Sequence, residues 1–404
     1  MRSVYFDAAP WRVATTALLG RASRRAFFGP LAPVRFGRFS ALALPGKRWV
    51  RVRNRVAGVG ADDLRQVYLE SRPSVSLMAA PRPSRIFLGR EVVGEVIETG
   101  PAVQFLRAGD RVAYQTGQCC ATLALEPPCR YCVIGAYALC QNRFLPAPQP
   151  VGGGWSEQML VHEQQVFLVP DGLLDEQAAL LEPSATAAHG VLRRLPQPGE
   201  TALVIGAGAE GLLATQALQA LAPDGTAITL VAQYPFEVEM AARMGLRNVI
   251  SDEHVAASVA RLAQAQRYTR RGGAELLVGG FDVVYDALGT ASSLQSALRW
   301  AREGGAVVLL GTRPEPLRLD LTPVWYREVE LLGGWRHGAE NAPGGHGRDA
   351  FGYGEGGRES TFLVAARLMR EQRLTPERMV THRFPLGEYR QALATARERV
   401  EHRA

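Results

Sequence analysis

The chain has 404 residues, enough for two domains or one large one with ample core, and its 47% hydrophobic and 21% charged residues make an ordinary globular composition. The net charge of +7 is almost entirely arginine, Lys47 being the only lysine, and no basic block alternates with aromatics as a nucleic-acid groove requires. Nucleic acid and membrane are therefore excluded as partners, since no apolar run is long enough to span a bilayer. The early arginines, Arg12, Arg21, Arg24 and Arg25, lack the apolar region and cleavage site of a leader, so residues 1–45 read as part of the fold and the cytoplasm as its compartment.

Residues 1–45 are punctuated by Pro and Gly, with a short helix expected within 11–28 and a strand within 34–44. Residues 49–53 alternate like a half-buried strand, and 61–65 look like a helix start. Residues 88–98 are strand-like with a glycine at a bend, and 108–111 form a turn into 112–114, which together predict an antiparallel β domain. From Ser184 the period changes to alternating helix and strand through 281–286 and 306–311, the pattern of a parallel sheet with helices on both faces. A strand at 329–332 precedes a glycine-rich loop, 336–359, expected to be mobile without ligand. A helix at 362–372, a strand at 380–384 and a helix at 386–397 close the chain. The predicted organisation is 1–183, 184–334 and 335–404, with a cysteine-bearing lobe at 119–141.

Within the second region, the apolar run 202–205 leads into Gly206, Gly208 and Gly211 in G-x-G-x-x-G spacing, then an Ala/Leu-rich helical segment. Gly206 permits the turn, Gly208 lets backbone approach a pyrophosphate, and Gly211 lets the helix pack close, with free N–H groups at its N-terminus for the phosphates. The alternative is a glycine-rich turn that binds no nucleotide. A dinucleotide there would rest on Gly206, Gly208, Ala209, Glu210 and Gly211, with Ala232 and Gln233 at the next strand end and Ala287 and Gly311 beyond later strands. An NAD site usually carries an acid at that second strand end. Ala232-Gln233 offers none, which favours NADP slightly over NAD, and no arginine follows until Arg243.

Four cysteines, Cys120, Cys129, Cys132 and Cys140, follow C-x8-C-x2-C-x7-C. Four soft ligands with no open position describe one structural zinc, and a cytosolic setting disfavours disulfides. Cys119 is a spare that could stand in for Cys120.

The motifs AGVGADDL from Ala57, LGREVVGEVIETG from Leu88, AGDRV from Ala108, the four-cysteine lobe, GGGWSEQMLV from Gly152, LLEPSATAAHGV from Leu180, GAGAEG from Gly206 and THRFPLGEYRQAL from Thr381 occur in this order. In these the chain resembles the zinc-type medium-chain dehydrogenase/reductase superfamily, the alcohol and sorbitol dehydrogenase type. The resemblance implies an α/β chain with a GroES-like β-rich domain, a Rossmann doubly wound parallel-sheet domain and a C-terminal return to the first. It also implies hydride transfer to or from a small-molecule substrate at a cleft, and a homodimer or homotetramer.

The resemblance fails at the catalytic zinc. Where the family places the Cys of A-G-x-C-G-S-D-L this chain has Gly60, and where it places the His of G-H-E it has Arg90, with Glu91 next to it. Glu182, in the E-P motif, survives, while Asp62 replaces the proton-relay hydroxyl and Arg65 the relay histidine. Glycine offers no ligand and a guanidinium repels a cation, so the catalytic metal is expected to be absent. Two readings follow. In one the chain is a metal-free reductase of an activated or conjugated acceptor, with Arg90 polarising an oxygen and Asp62 or Glu182, half-buried with a raised pKa, as acid. In the other Arg90 pairs with Glu91 or Glu182 and the protein is an inactive cofactor-binding scaffold or partner subunit. His189 reads as a packed helix residue, and His337 and His346 as solvent-facing.

Overall fold

The computed structural model describes the chain apart from residues 41–42, 71–84, 116, 146–150, 252–253, 270–274, 312, 314, 344–357 and 402–404. The chain divides into two compact units, Met1–Glu182 with Val380–Ala404, and Pro183–Met379. Among the described residues no helix is long and apolar enough to cross a membrane.

The first unit opens with β1 (Arg2–Asp7), α1 (Pro10–Leu19) and β2 (Val34–Arg38). Pro10 stands in the first turn of α1, where its missing N–H would have had no partner anyway. There follow β3 (Trp49–Ala57), α2 (Ala61–Val67), β4 (Arg85–Phe87), β5 (Val92–Thr99), β6 (Arg111–Tyr114), α3 (Arg130–Val133), β7 (Gln158–His162), β8 (Val166–Leu168) and α4 (Asp175–Ala179). Five of the strands form an antiparallel sheet in the order β7-β3-β5-β6-β8, and β2-β1-β4 make a smaller one. Strand β3 has the expected alternation: Val50 and Val52 are buried, while Arg51 and Arg53 reach across to Glu98 and Glu95 on β5 at 2.6 and 3.0 Å. Leu64 and Val67 turn one face of α2 into a core with Phe6, Leu88 and Trp155.

Helix α5 (Leu181–Leu192) carries the chain into the second unit. There β9 (Thr201–Ile205), α6 (Ala209–Leu221), β10 (Ala227–Val231), α7 (Pro235–Arg243), β11 (Val249–Ile250), α8 (Val255–Leu262), β12 (Gln266–Thr269), β13 (Glu275–Val278), β14 (Phe281–Asp286), α9 (Ala291–Trp300), β15 (Ala301–Leu309), α10 (Thr322–Tyr326) and β16 (Glu330–Gly333) follow, and the expected alternation breaks only at β12 and β13, which pair antiparallel in a sheet of their own. Six of the strands run parallel in the order β11-β10-β9-β14-β15-β16. The order reverses at β9, and the carboxyl ends of strands at such a switch point are where open α/β sheets bind ligands. Strand β9 is apolar because it is central, with Ala202 to Val204 fully buried. The unit continues through β17 (Ala339–Glu340), β18 (Glu359–Ser360) and α11 (Thr361–Arg370), and α12 (Tyr389–Glu401) closes the chain in the first unit.

Several expectations are corrected. The chain rejoins the first unit at Val380, not at 335, because α11 buries Phe362, Val364 and Leu368 within the second. Residues 380–384 do not form a strand and are largely exposed. Strand β1, unassigned from sequence, pairs with both β2 and β4. His337 is buried rather than solvent-facing, its ring edge-on to Phe362 at 4.9 Å. His346 and most of the 336–359 loop lie outside the described residues.

Candidate functional site

In the first unit Gly60 caps α2, and the helical phase sends its two acids opposite ways. Asp62 is 53% exposed and lies between two guanidiniums, accepting from Arg65 Nη2 at 2.5 Å and Arg90 Nη2 at 2.9 Å. Asp63 is buried and accepts the Gly89 N–H at 3.1 Å. Asp62 is thus not in the half-buried setting expected of it. The buried neighbour, missed in the sequence, shares its phase with Leu64 and Val67, and that spacing was the available signal.

Glu91 sits against the two glycines that precede α2. A Cβ on Gly60 would lie 2.8 Å from Glu91 Oε1, and one on Gly58 would collide with Oε2. The Glu91 carboxyl therefore fills the space that a side chain at 60 would take. Burial pushes its pKa up to about 8, the charges of Glu182 and Asp63 adding to the effect while Arg90 opposes it. Burial likewise raises Asp63 to about 6 against the Gly89 N–H and Arg90. For Arg90 burial works against the charge, but Glu182, Asp62 and Asp63 outweigh it and raise the pKa, so it stays a cation. Glu182 is 9% exposed, in the first turn of α5. The cluster unites Asp62, Arg90, Glu91 and Glu182, all singled out from sequence, around a partly exposed guanidinium and an acid that holds its proton near neutral pH.

In the second unit Gly206 has φ +100°, a conformation that favours glycine, and its N–H is bonded to Val231 O at 3.0 Å. A Cβ on Gly211 would collide with the Gly206 carbonyl, whereas one on Gly208 would meet nothing within 4 Å. One glycine thus closes the turn, another seats α6 against it, and the third leaves open space before exposed Ala209 and the helix N-terminus. Ala287 N donates to Ile205 O at 3.0 Å and Gly311 N to Asp286 O at 2.9 Å, so both lie at the carboxyl edge beside β9. Ala232 is buried and Gln233 exposed at the end of β10. Glu210 lies in the first turn of α6. Free N–H groups, room at Gly208 and a switch-point location fit a dinucleotide pyrophosphate.

The sulfurs of Cys120, Cys129, Cys132 and Cys140 all lie within 4.8 Å of one another, with 3.7 Å between Cys120 and Cys140 and 3.9 Å between Cys129 and Cys140. Thiolates about 2.3 Å from a tetrahedral zinc stand roughly 3.8 Å apart, so the cluster fits a structural zinc. Burial would raise the Cys129 thiol, but hydrogen bonds from Gln141, Cys132 and Tyr131 outweigh it and bring it down to about 6, toward the thiolate a metal needs. Cys120 rather than Cys119 belongs to the set. Among the described residues, no other group of three or more His, Cys, Asp and Glu side chains could hold a metal ion. His189 is packed, its Nδ1 3.2 Å from Glu340 Oε1.

Residues 46–171 match the alcohol dehydrogenase GroES-like domain family, and 209–344 the zinc-binding dehydrogenase family. The chain is 31% identical to sorbitol dehydrogenase of Bacillus subtilis over 252 residues, 62% of this chain and 66% of that one, just under two thirds of its length. It is 28% identical to L-threonine 3-dehydrogenase of Yersinia pseudotuberculosis over 318 residues, 78% of this chain and 80% of that one. Its fold matches a zinc-binding dehydrogenase from Sinorhizobium meliloti 1021 bound to NADP, with TM-score 0.63 and 24% identity over 89% of this chain and 91% of that one.

Proposed function

The chain belongs to the zinc-type medium-chain dehydrogenase/reductase superfamily, whose members are NAD(P)-dependent oxidoreductases, and from that premise we propose that it reduces an activated or conjugated double bond without a catalytic zinc. The observation that carries this reading is the Glu91 carboxyl lodged in the space at Gly60, with Arg90 beside it. A sulfur ligand at 60 and a carboxyl in that volume exclude each other, and a cation at 90 repels a metal. The donor set left, Glu91, Glu182 and two neighbouring aspartates around a guanidinium, does not fit a catalytic zinc, which wants three protein ligands and an open position.

A nicotinamide cofactor held at Gly206, Gly208 and Gly211 would supply the hydride. Arg90 binds an oxygen of the acceptor and draws electron density toward itself, the part a Lewis acid would otherwise play. Glu91, protonated near neutral pH, provides the proton that balances the hydride, and Glu182 and Asp63 keep that proton from leaving prematurely. Oxidation of a plain alcohol needs a base for the alcohol proton. Asp62 and Arg65 form an ion pair here, and negligible activity on plain alcohols follows. A small-molecule substrate, a cytoplasmic setting and a homodimer or homotetramer complete the proposal.

A second reading, an inactive cofactor-binding scaffold, is favoured by one observation: the Arg90 guanidinium is already engaged by Asp62 at 2.9 Å. Arg90→Ala separates the two. If Arg90 polarises the acceptor, turnover of a reducible enone panel falls by about a hundredfold or more, the scale of losing one oxyanion donor, while NADH affinity is kept. If no member of the panel is turned over by the wild type, and the variant changes only thermal stability, the scaffold reading stands.

A further inference from the structure

The strand end that ordinarily selects between NAD and NADP carries no acid here, β10 running out through Val231-Ala232-Gln233. The folded chain brings one back. Glu237, in the first turn of α7, turns its carboxylate onto the end of β10, where Oε2 accepts the Gln233 N–H at 2.7 Å and the Tyr234 N–H at 3.3 Å. An acid three residues into a helix ordinarily caps the residue just before it. Here the shorter bond goes one residue further back, to Gln233, which is exposed at the strand end. That strand adjoins β9, and Val231 O receives the Gly206 N–H of the glycine turn. The carboxylate thus stands where a Rossmann unit meets the adenosine ribose.

The charge of the local sequence agrees, Arg243 at the far end of α7 being its first cation. From Gly206 to Ala242 the chain contains no Arg, Lys or His, and its ionisable side chains there are Glu210, Asp224, Tyr234, Glu237 and Glu239. A 2′-phosphate needs a cation or free N–H groups. The two N–H groups on offer at this turn are taken by Glu237, and no cation lies in the segment.

We infer that Glu237 takes over the role of the absent strand-end acid and makes the protein select NAD(H) over NADP(H). This reverses the preference that the bare strand end suggested, and it rests on the oxidoreductase reading above. Two hydroxyls of an NAD ribose can donate to the carboxylate, whereas a 2′-phosphate would meet a like charge.

The test is the dissociation constants of NADH and NADPH, read from nicotinamide fluorescence, for the intact protein and for Glu237→Gln and Glu237→Arg. Glutamine keeps an acceptor for the two backbone N–H groups, so the start of α7 survives in that variant. The wild type should bind NADH at least tenfold tighter than NADPH. Glu237→Gln should cut that ratio about tenfold, mainly by strengthening NADPH, and Glu237→Arg should bring it to or below one. Equal ratios in wild type and Glu237→Gln, or a wild type that prefers NADPH, overturns the inference while leaving the oxidoreductase reading intact. A wild type that binds neither nucleotide overturns both.

Discussion

Replacing Glu91 with glutamine should make the protein more stable at alkaline pH and less active at every pH. The carboxyl has an ordinary value of 4.5 and is pushed to about 8 by burial and by the neighbouring Glu182 and Asp63. Between these values the folded chain keeps a proton that the unfolded chain has released, so stability is full below about 4.5, falls as pH rises, and levels off above about 8. The limiting loss is about 5 kcal/mol. Glu91 keeps some solvent contact, which screens the charge and reduces the readable part to roughly 2 kcal/mol. Glutamine has the shape of the protonated acid and never ionises, so the variant should lose this slope and exceed the wild type by about 2 kcal/mol at pH 8.5. Asp63, raised from 3.8 to about 6, gives a second slope at lower pH that both proteins share. Denaturant titrations from pH 5 to 9 at constant ionic strength read the difference directly. Parallel pH profiles for the two proteins would refute a proton held at Glu91. Glutamine cannot give up a proton to substrate, so turnover should fall about a hundredfold or more. A gain in stability paired with a loss of activity marks a group kept for chemistry.

The glycine loop separates folding from binding. Gly211→Ala pushes a methyl into the Gly206 carbonyl and should lower stability by about 1–3 kcal/mol in denaturant titrations. Gly208→Ala adds a Cβ that meets nothing in the protein within 4 Å, so melting should be unchanged while NADH affinity, measured by fluorescence, falls at least tenfold. Cys129→Ser should release the lobe's zinc, detected by elemental analysis, and lower the melting temperature by several degrees without changing the NADH dissociation constant.

The Rossmann unit was legible because its signals are local: an apolar strand, glycines at fixed spacing and a helix occur within about twenty residues. The zinc lobe was legible for the same reason, although only the fold decides between Cys119 and Cys120. In the acid cluster Asp62, Arg90, Glu91 and Glu182 stand out in the sequence, but Asp63 and the division of labour do not. Asp62 and Asp63 are adjacent in sequence, and helical phase alone exposes one and buries the other. The fit of Glu91 against Gly58 and Gly60 joins residues about thirty positions apart and depends on what the glycines leave empty. Glu237 is not legible as a strand-end acid because its side chain reaches the strand end from one helical turn further along the chain. His337 looked like part of a glycine-rich loop, but Phe362 on α11 covers it.

On the function proposed above, four thiolates hold one zinc per chain and the groups around Arg90 act without a second. The most direct measurement is the zinc content of the purified protein, by elemental analysis against a quantified chain concentration, with enone-reductase turnover followed on the same sample. About one zinc per chain, lost in Cys129→Ser, together with turnover in wild type is the predicted result. Two zinc ions per chain, with one removed by a chelator at the same rate as activity is lost, would contradict it.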